Sequence, residues 1–217
     1  MSTQLLSDQT RQALEAFIGN LPADQQKTVA SAFEDLMASD TAAGAPKPGD
    51  KAPGFTLPSV RGATLTLDDA LKQGPVVLSF YRGSWCPFCN LELNALQQRL
   101  DDIQACGARL IAVSPERPDG SLSHAEKLNL SFDVLSDLHN TVAGDYGLIM
   151  DVHATLRPLY LEWGLDLPAA NLDDSWQLPV PATYVIDRDG IIRAAHIDKN
   201  YTLRMEPEEI VDALRSL

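Results

Sequence analysis

The chain has 217 residues, 45% of them hydrophobic and 22% charged, enough for one full-sized core with a small appendage and too apolar for disorder throughout. Seventeen Lys and Arg against 30 Asp and Glu give a formal charge of −13. Such a surface repels phosphate backbones and anionic lipid, so no nucleic acid and no membrane is expected as a partner, and the charge reads as solubility. No stretch approaches the ~20 apolar residues of a membrane span. Met1-Ser2-Thr3-Gln4-Leu5-Leu6 lacks the basic and apolar regions of a signal peptide. A cytoplasmic location is therefore expected, where thiols stay reduced and a close cysteine pair points to redox or metal chemistry more than to a structural staple.

In chain order, residues 8–38 predict two amphipathic helices. Leu14, Phe17, Ile18 and Leu21 share one helical face, and Val29, Phe33, Leu36 and Met37 nearly repeat the pattern, with Asn20 and Pro22 between. A pair this short is marginal alone. It must pack on the main domain or on a second subunit, the latter making a homodimer through these helices. Ser39 to Asp50 is small, polar and proline-bearing and reads as a connection. The expected organisation is a helical pair at 1–38, a linker at 39–47 and a main domain at 48–217.

Within the main domain, Val76-Val77-Leu78-Ser79-Phe80-Tyr81 and Arg109-Leu110-Ile111-Ala112-Val113-Ser114 are short β-branched, apolar runs, as buried strands would be. A helix is expected from about Pro87, carrying Leu91, Leu93, Leu96 and Leu100. A helix around Ser121 to Leu128, a strand at Phe132–Leu135 and a short helix holding Val142 and Tyr146 follow. Residues 151–178 are less regular and contain Tyr160, Trp163 and Trp176. Asp187-Arg188-Asp189-Gly190 between two strand-like runs is a strong hairpin signal. Ile210, Val211 and Leu214 mark a closing helix. Strand–helix alternation ending in an antiparallel hairpin predicts an α/β fold, a three-layer sandwich on a mixed sheet, with the N-terminal helices as an extension.

The chemistry concentrates in Trp85-Cys86-Pro87-Phe88-Cys89, at a strand-to-helix junction. Pro87 suits the first helical position and makes Cys86 the N-cap. The helix N-terminus favours a thiolate, and two cysteines across one turn can close a disulfide. Zinc would want four ligands, and no second Cys-x-x-Cys or His pair supplies the others. Cys106 lies between Ala105 and Gly107 and reads as a small core residue more than as a resolving thiol. His124, His139, His153 and His196 are scattered without ligand spacing and read as surface or loop residues. No metal and no cofactor is expected. Arg82 lies close enough in sequence to lower a thiolate's pKa, or it is simply a surface residue at a strand end. Trp85 reads as a partly exposed shield over the pair.

The chain from about Lys47 onward resembles the peroxiredoxin superfamily, the alkyl hydroperoxide reductase and thiol-specific antioxidant group. The resemblance rests on Pro48–Leu57, Ile111–Pro115, Phe132–Asp137, Tyr146-Gly147-Leu148 and Ala182–Asp187. It implies a thioredoxin-like fold. The active-site segment departs from the family. Peroxiredoxins usually carry Phe-Tyr-Pro, then Thr or Ser, then the attacking Cys three residues later. Here Arg82 follows Phe80-Tyr81, Cys86 takes the Thr position and Cys89 the attacking position. The family's second-strand Arg falls in register on Pro181, which resembles the cis-proline of thioredoxins. A cis bond after Val180, packed near Cys86, is expected from that resemblance. The Cys-Pro-Phe-Cys segment is also similar to a thioredoxin active site, and a peroxiredoxin-like bacterial subgroup carries a similar Tyr-Arg-Gly-x-Trp-Cys-Pro-x-Cys run.

The function implied is a thiol-dependent peroxidase that reduces hydrogen peroxide or organic hydroperoxides through Cys86 and Cys89. A thioredoxin-like or glutathione-type reductant would recycle it. Arg82, Trp85 and Pro181 would position substrate. Two alternatives stay open: a thiol-disulfide oxidoreductase acting on protein or glutathione disulfides, and a non-enzymatic redox-sensing protein. The peroxiredoxin register points to Cys89 as the attacking sulfur and the thioredoxin register to Cys86. Cys86, at the helix end, is expected to be the more exposed and to attack protein disulfides first, with Cys89 resolving. For peroxide the order stays open.

Overall fold

The computed structural model describes residues 4–217 apart from the side chain of His124. Met1–Thr3, the start of the six residues expected to lack signal-peptide character, and that histidine side chain lie outside the described residues. No helix among the described residues is long and apolar enough to cross a membrane.

The two N-terminal helices form as expected, α1 at Leu6–Asn20 and α2 at Ala23–Ala38. Pro22 is the N-cap of α2, where its fixed φ suits the extended residue ahead of a helix. A small hairpin, β1 (Thr56–Pro58) and β2 (Thr64–Thr66), leads into α3 (Leu67–Gln73). The main run is β3 (Val76–Phe80), α4 (Pro87–Gln98), α5 (Leu100–Ala105), β4 (Arg109–Ser114), α6 (Pro118–Lys127), β5 (Asp133–Ser136) and α7 (Thr141–Asp145). Then come β6 (Ile149–Asp151), α8 (Arg157–Glu162), α9 (Leu167–Asn171), β7 (Gln177–Pro179), β8 (Ala182–Ile186), β9 (Ile192–Ile197) and α10 (Pro207–Arg215).

The five-stranded sheet runs β5-β4-β3-β8-β9. β3, β4 and β5 are parallel, and β8 and β9 are antiparallel to their neighbours. β3 is buried along its whole length, which is why it reads as an unbroken apolar run. Its side chains alternate between two apolar layers. Leu78 and Phe80 join one layer with Tyr146 and Tyr184, while Val77 joins the other with Cys86, Cys89, Leu93, Leu96 and Ile210. Helices cover both faces, giving the expected three-layer α/β sandwich with a mixed sheet.

Two local differences have clear causes. The expected single helix from Pro87 through Leu100 breaks at Arg99, whose side chain turns aside to pair with Asp102 and Glu208. The stretch 151–178 holds two short helices and half of a hairpin, β6 with β7. Elements of three to six residues are shorter than the periods by which a sequence reveals them.

The helical pair packs on its own main domain. Leu14, Phe17, Ile18, Val29, Phe33 and Leu36 are half-buried. Phe17 stacks edge-on against Trp163 at 5.3 Å, and Phe33 against Tyr201 at 6.1 Å. The buried Gln25 latches α2 to the end of α8: its Nε2 donates to Glu162 Oε1 at 2.9 Å, and Trp163 Nε1 donates to its Oε1 at 3.1 Å. At the other end, both carboxylate oxygens of Glu206 accept the first amides of α1, from Leu6 at 3.0 Å and Ser7 at 2.8 Å, while Glu206 also caps α10. The connection between α2 and the main domain is pinned by Lys199 Nζ, which donates to Ser39 O at 2.6 Å.

Gln25→Ala removes both bonds of the latch, one of them to a carboxylate. It should cost about 1–3 kcal/mol, and hydrogen exchange should speed up across α2 more than across the sheet. Equal acceleration everywhere would mean that the helix has no separate latch.

Candidate active site

The chain leaves β3 at Phe80 and crosses to α4 through Tyr81–Cys86. Gly83 sits at φ +149, and a Cβ there would lie 2.3 Å from Trp85 Nε1, so the indole folds over a position only glycine can hold. The buried carboxylate of Glu116 fixes the next residue, accepting from Ser84 N at 2.9 Å and from Ser84 Oγ at 2.6 Å. Cys86 is the N-cap of α4, Pro87 its first residue, and Cys89 lies one turn in.

Both sulfurs are free thiols without exposed surface, at 0% each. This corrects the expectation that Cys86 is the more exposed: the helix end points inward, under Trp85 and Arg82 rather than toward solvent. Each sulfur has its own guanidinium. Arg82 Nη1 donates to Cys86 Sγ at 3.8 Å, and Arg204 Nη2 donates to Cys89 Sγ at 3.5 Å. Arg82, 4% exposed, is no surface residue. Its Nη2 donates to Tyr160 Oη at 2.7 Å, and its guanidinium lies 4.9 Å from the Trp85 ring and 4.2 Å from that of Tyr201. Arg204 is held by Glu92, Nε to Oε2 at 2.6 Å, both side chains being 2% exposed. Thr183 Oγ1 donates to the other Glu92 oxygen at 3.2 Å.

This arrangement splits the two thiols. Burial by itself raises the Cys86 pKa, but the hydrogen bond from Cys89 and the charges of Arg82 and Arg204 outweigh it and lower it from 9.0 to about 5. Burial pushes Cys89 well above 9.0, and its bond to the neighbouring Cys86 thiolate pushes it the same way. At neutral pH the pair is one thiolate at the helix N-terminus and one thiol donating to it. For Glu92, burial raises the carboxyl above its usual range, against the pull of Arg204 and Thr183.

Pro181 corrects a second expectation: among the described residues no peptide bond is cis, so the Val180–Pro181 bond is trans. The segment is extended and anchored by Val180 N donating to Leu148 O at 2.7 Å, and β8 begins directly after it with Ala182 paired to Phe80. A chain already running straight into a sheet register needs no reversal there. Cys106 ends α5 half-buried, packed against the layer that holds the pair. His139 and His153 are exposed and His196 is half-buried on β9. Among the described residues no three His, Cys, Asp or Glu side chains gather as a metal site would require.

Arg204, Glu92, Tyr160 and Tyr201 escape a reading of the sequence. Glu92 had a signal: it lies three residues after Cys89, on the face that also carries Leu93 and Leu96, where an acid needs a buried partner. The partner arrives from 112 residues away and leaves no local pattern.

A cysteine pair on the first turn of the helix that follows a central strand of a mixed sheet defines a thioredoxin-fold thiol redox protein. The AhpC/TSA family model matches residues 48–195, and the chain belongs to that family, within the peroxiredoxin superfamily of thiol-dependent peroxidases. The chain is 37% identical over 103 residues to a putative peroxiredoxin bcp of Coxiella burnetii, covering 48% of this chain and 68% of that one. It is 27% identical over 164 residues to the chloroplastic peroxiredoxin Q of Populus jackii, covering 76% of this chain and 64% of that protein's length. Among solved structures, peroxidoxin BcpB from Mycobacterium tuberculosis superposes with a TM-score of 0.62 at 22% identity, over 79% of this chain and 97% of that one. Tyr201, Arg204 and both N-terminal helices lie outside the family match.

Thiolate absorbance near 240 nm should therefore rise through about pH 5 in the reduced protein. Arg82→Met removes a positive charge that favours the charged form, so the midpoint should move upward; an unchanged midpoint would exclude Arg82 as its cause. Arg204→Met strands Glu92 in the core and should cost about 3–5 kcal/mol in urea unfolding.

Proposed function

We propose that this protein is a thiol peroxidase whose redox pair is Cys86 and Cys89, with Cys86 attacking peroxide and Cys89 resolving. The observation that carries this is the burial of both sulfurs against their own arginines. A peroxide is small enough to reach a covered sulfur. A protein disulfide needs a local opening first, and a trans Pro181 does not supply the thioredoxin-like cradle that the disulfide-exchange alternative leaned on.

The lone pair of the Cys86 thiolate attacks one peroxide oxygen, and the O–O bond breaks. Cys86 becomes a sulfenic acid, and the departing oxyanion takes a proton to leave as water or alcohol. Arg82 stabilises negative charge as it moves from sulfur to oxygen, and Trp85 closes the site over it. The Cys89 thiol then attacks the Cys86 sulfur. An S–S bond forms, the sulfenic hydroxyl leaves, and the thiol proton completes a water molecule. Arg204 lowers the cost of the thiolate at Cys89 in that step. An external dithiol, thioredoxin-like, or two glutathione-type thiols return the pair to the reduced state by exchange. That exchange needs a local opening, since no sulfur surface is exposed.

Cys86→Ser should abolish peroxide consumption. Cys89→Ser should consume one equivalent, leave a sulfenic acid that dimedone traps on Cys86, and fail to turn over with a dithiol. The reverse pattern would make Cys89 the attacking sulfur.

A further inference from the structure

We infer that the phenol of Tyr160 is the proton donor to the leaving oxygen of the peroxide. This rests on the peroxidase reading above and supplies the proton that its first step consumes.

That step ends on hydroxide or alkoxide, whose conjugate acid is very weak, with a pKa of about 15.7 for water. Bulk water is not at hand to protonate it, since both sulfurs are fully buried and Arg82 and Tyr160 nearly so. The donor is therefore a side chain. Arg82 cannot give up a proton. The Cys89 proton is spent in the second step. Glu92 is taken up by Arg204 and Thr183, on the Cys89 side. Tyr201 turns its ring face to Arg82, and burial makes Tyr81 a weaker acid than an ordinary phenol. The Trp85 indole nitrogen packs on Gly83. That leaves Tyr160.

Its position suits the task. Arg82 holds Cys86 Sγ on Nη1 at 3.8 Å and Tyr160 Oη on Nη2 at 2.7 Å. Sulfur and phenol oxygen thus hang on neighbouring nitrogens of one rigid fork, as the attacked and departing oxygens of a peroxide lie one bond apart. The Tyr160 O–H has no acceptor among the described residues, so its proton is free to be given. Arg82 and Tyr160 line both cavities beside the helical pair, about 220 and 290 Å³, and Cys86 lines neither. A peroxide entering from there brings its leading oxygen to the sulfur. Its trailing oxygen, the one that departs, stays with the guanidinium and the phenol.

The Cys86 lone pair forms the S–O bond, the O–O bond breaks, and its electron pair goes to the trailing oxygen. That oxygen takes the Tyr160 proton and leaves as water or alcohol. Tyr160 becomes a phenolate against Arg82 just as Cys86 loses its charge. The guanidinium favours that anion, having no carboxylate paired to it among the described residues. When the disulfide is reduced, a dithiol brings two protons. One returns to Cys89 and the other to Tyr160, and Cys86 leaves as thiolate.

Tyr160→Phe removes the proton and keeps the ring that packs on Trp85 and Trp163. Single-turnover oxidation of Cys86 is measured with hydrogen peroxide and with peracetic acid, whose leaving carboxylate, of conjugate pKa about 4, needs no proton. In the variant, the rate constant for hydrogen peroxide relative to peracetic acid should fall at least about tenfold, general acids contributing about 10²–10⁴. A smaller fall, including the equal loss with both oxidants that mere holding of Arg82 would give, overturns the inference. If the variant does not fold, the wild-type protein decides by stopped-flow spectroscopy. Hydrogen peroxide should bring up tyrosinate absorbance as Cys86 is oxidised, before any reductant is added, and peracetic acid should not. No such signal with hydrogen peroxide, or an equal signal with both, overturns the inference while the peroxidase reading stands. Oxidation of the wild type by neither reagent overturns both.

Discussion

Everything around the active site follows from keeping negative charge on a sulfur that water cannot reach. A thiolate in an apolar layer is unstable unless fixed positive charge replaces its hydration, and the helix N-terminus alone supplies about half a charge. Two arginines make up the difference, and each then needs holding. Arg204 is neutralised by Glu92, a second buried ion that in turn requires Thr183. Arg82 is held by a phenol and two aromatic faces, with no carboxylate paired to it among the described residues. The difference matters. A carboxylate beside Arg82 would cancel the field it exerts on Cys86, whereas π faces fix the guanidinium and leave its charge available. Cys89 keeps its proton because burial and the neighbouring Cys86 thiolate outweigh the pull of Arg204.

Much of this frame was legible in the sequence, and the limits of legibility are physical. β3 and β4 announce themselves because a strand buried on both faces must be apolar throughout. The Asp187–Gly190 turn and Pro87 at a helix start carry their geometry in one or two residues. The Cys-x-x-Cys pair identifies the chemistry because the spacing and the helix end are local. Burial of that pair is not local. It depends on where α1, α2 and the Tyr201–Arg204 segment come to rest, and long-range packing of a half-apolar helix looks the same in sequence as a helix facing solvent. The trans Pro181 shows the converse: its resemblance to a proline of another family is local, whereas its geometry is set by the strand register on either side.

The N-terminal helices also change how the fold is assembled. The family match covers the sheet and most of its helices. Outside it, the extension docks beside the helix-end site through one glutamine latch and two edge-on aromatic pairs. Few of its residues are fully buried, so its docking is weak by the standard of the core. Weak docking is what a cover needs if a macromolecular reductant must later gain access.

Glu206 gives that docking a mechanical side. One carboxylate caps the start of α1 and the start of α10, and Arg204 sits two residues ahead of it. A single side chain therefore links the first turn of α1 to the backbone segment that carries Arg204. Far from the helix pair in sequence, Cys89 is thus joined to it like a bell to its cord: α1 hangs on Glu206, and two residues ahead Arg204 donates to the Cys89 sulfur.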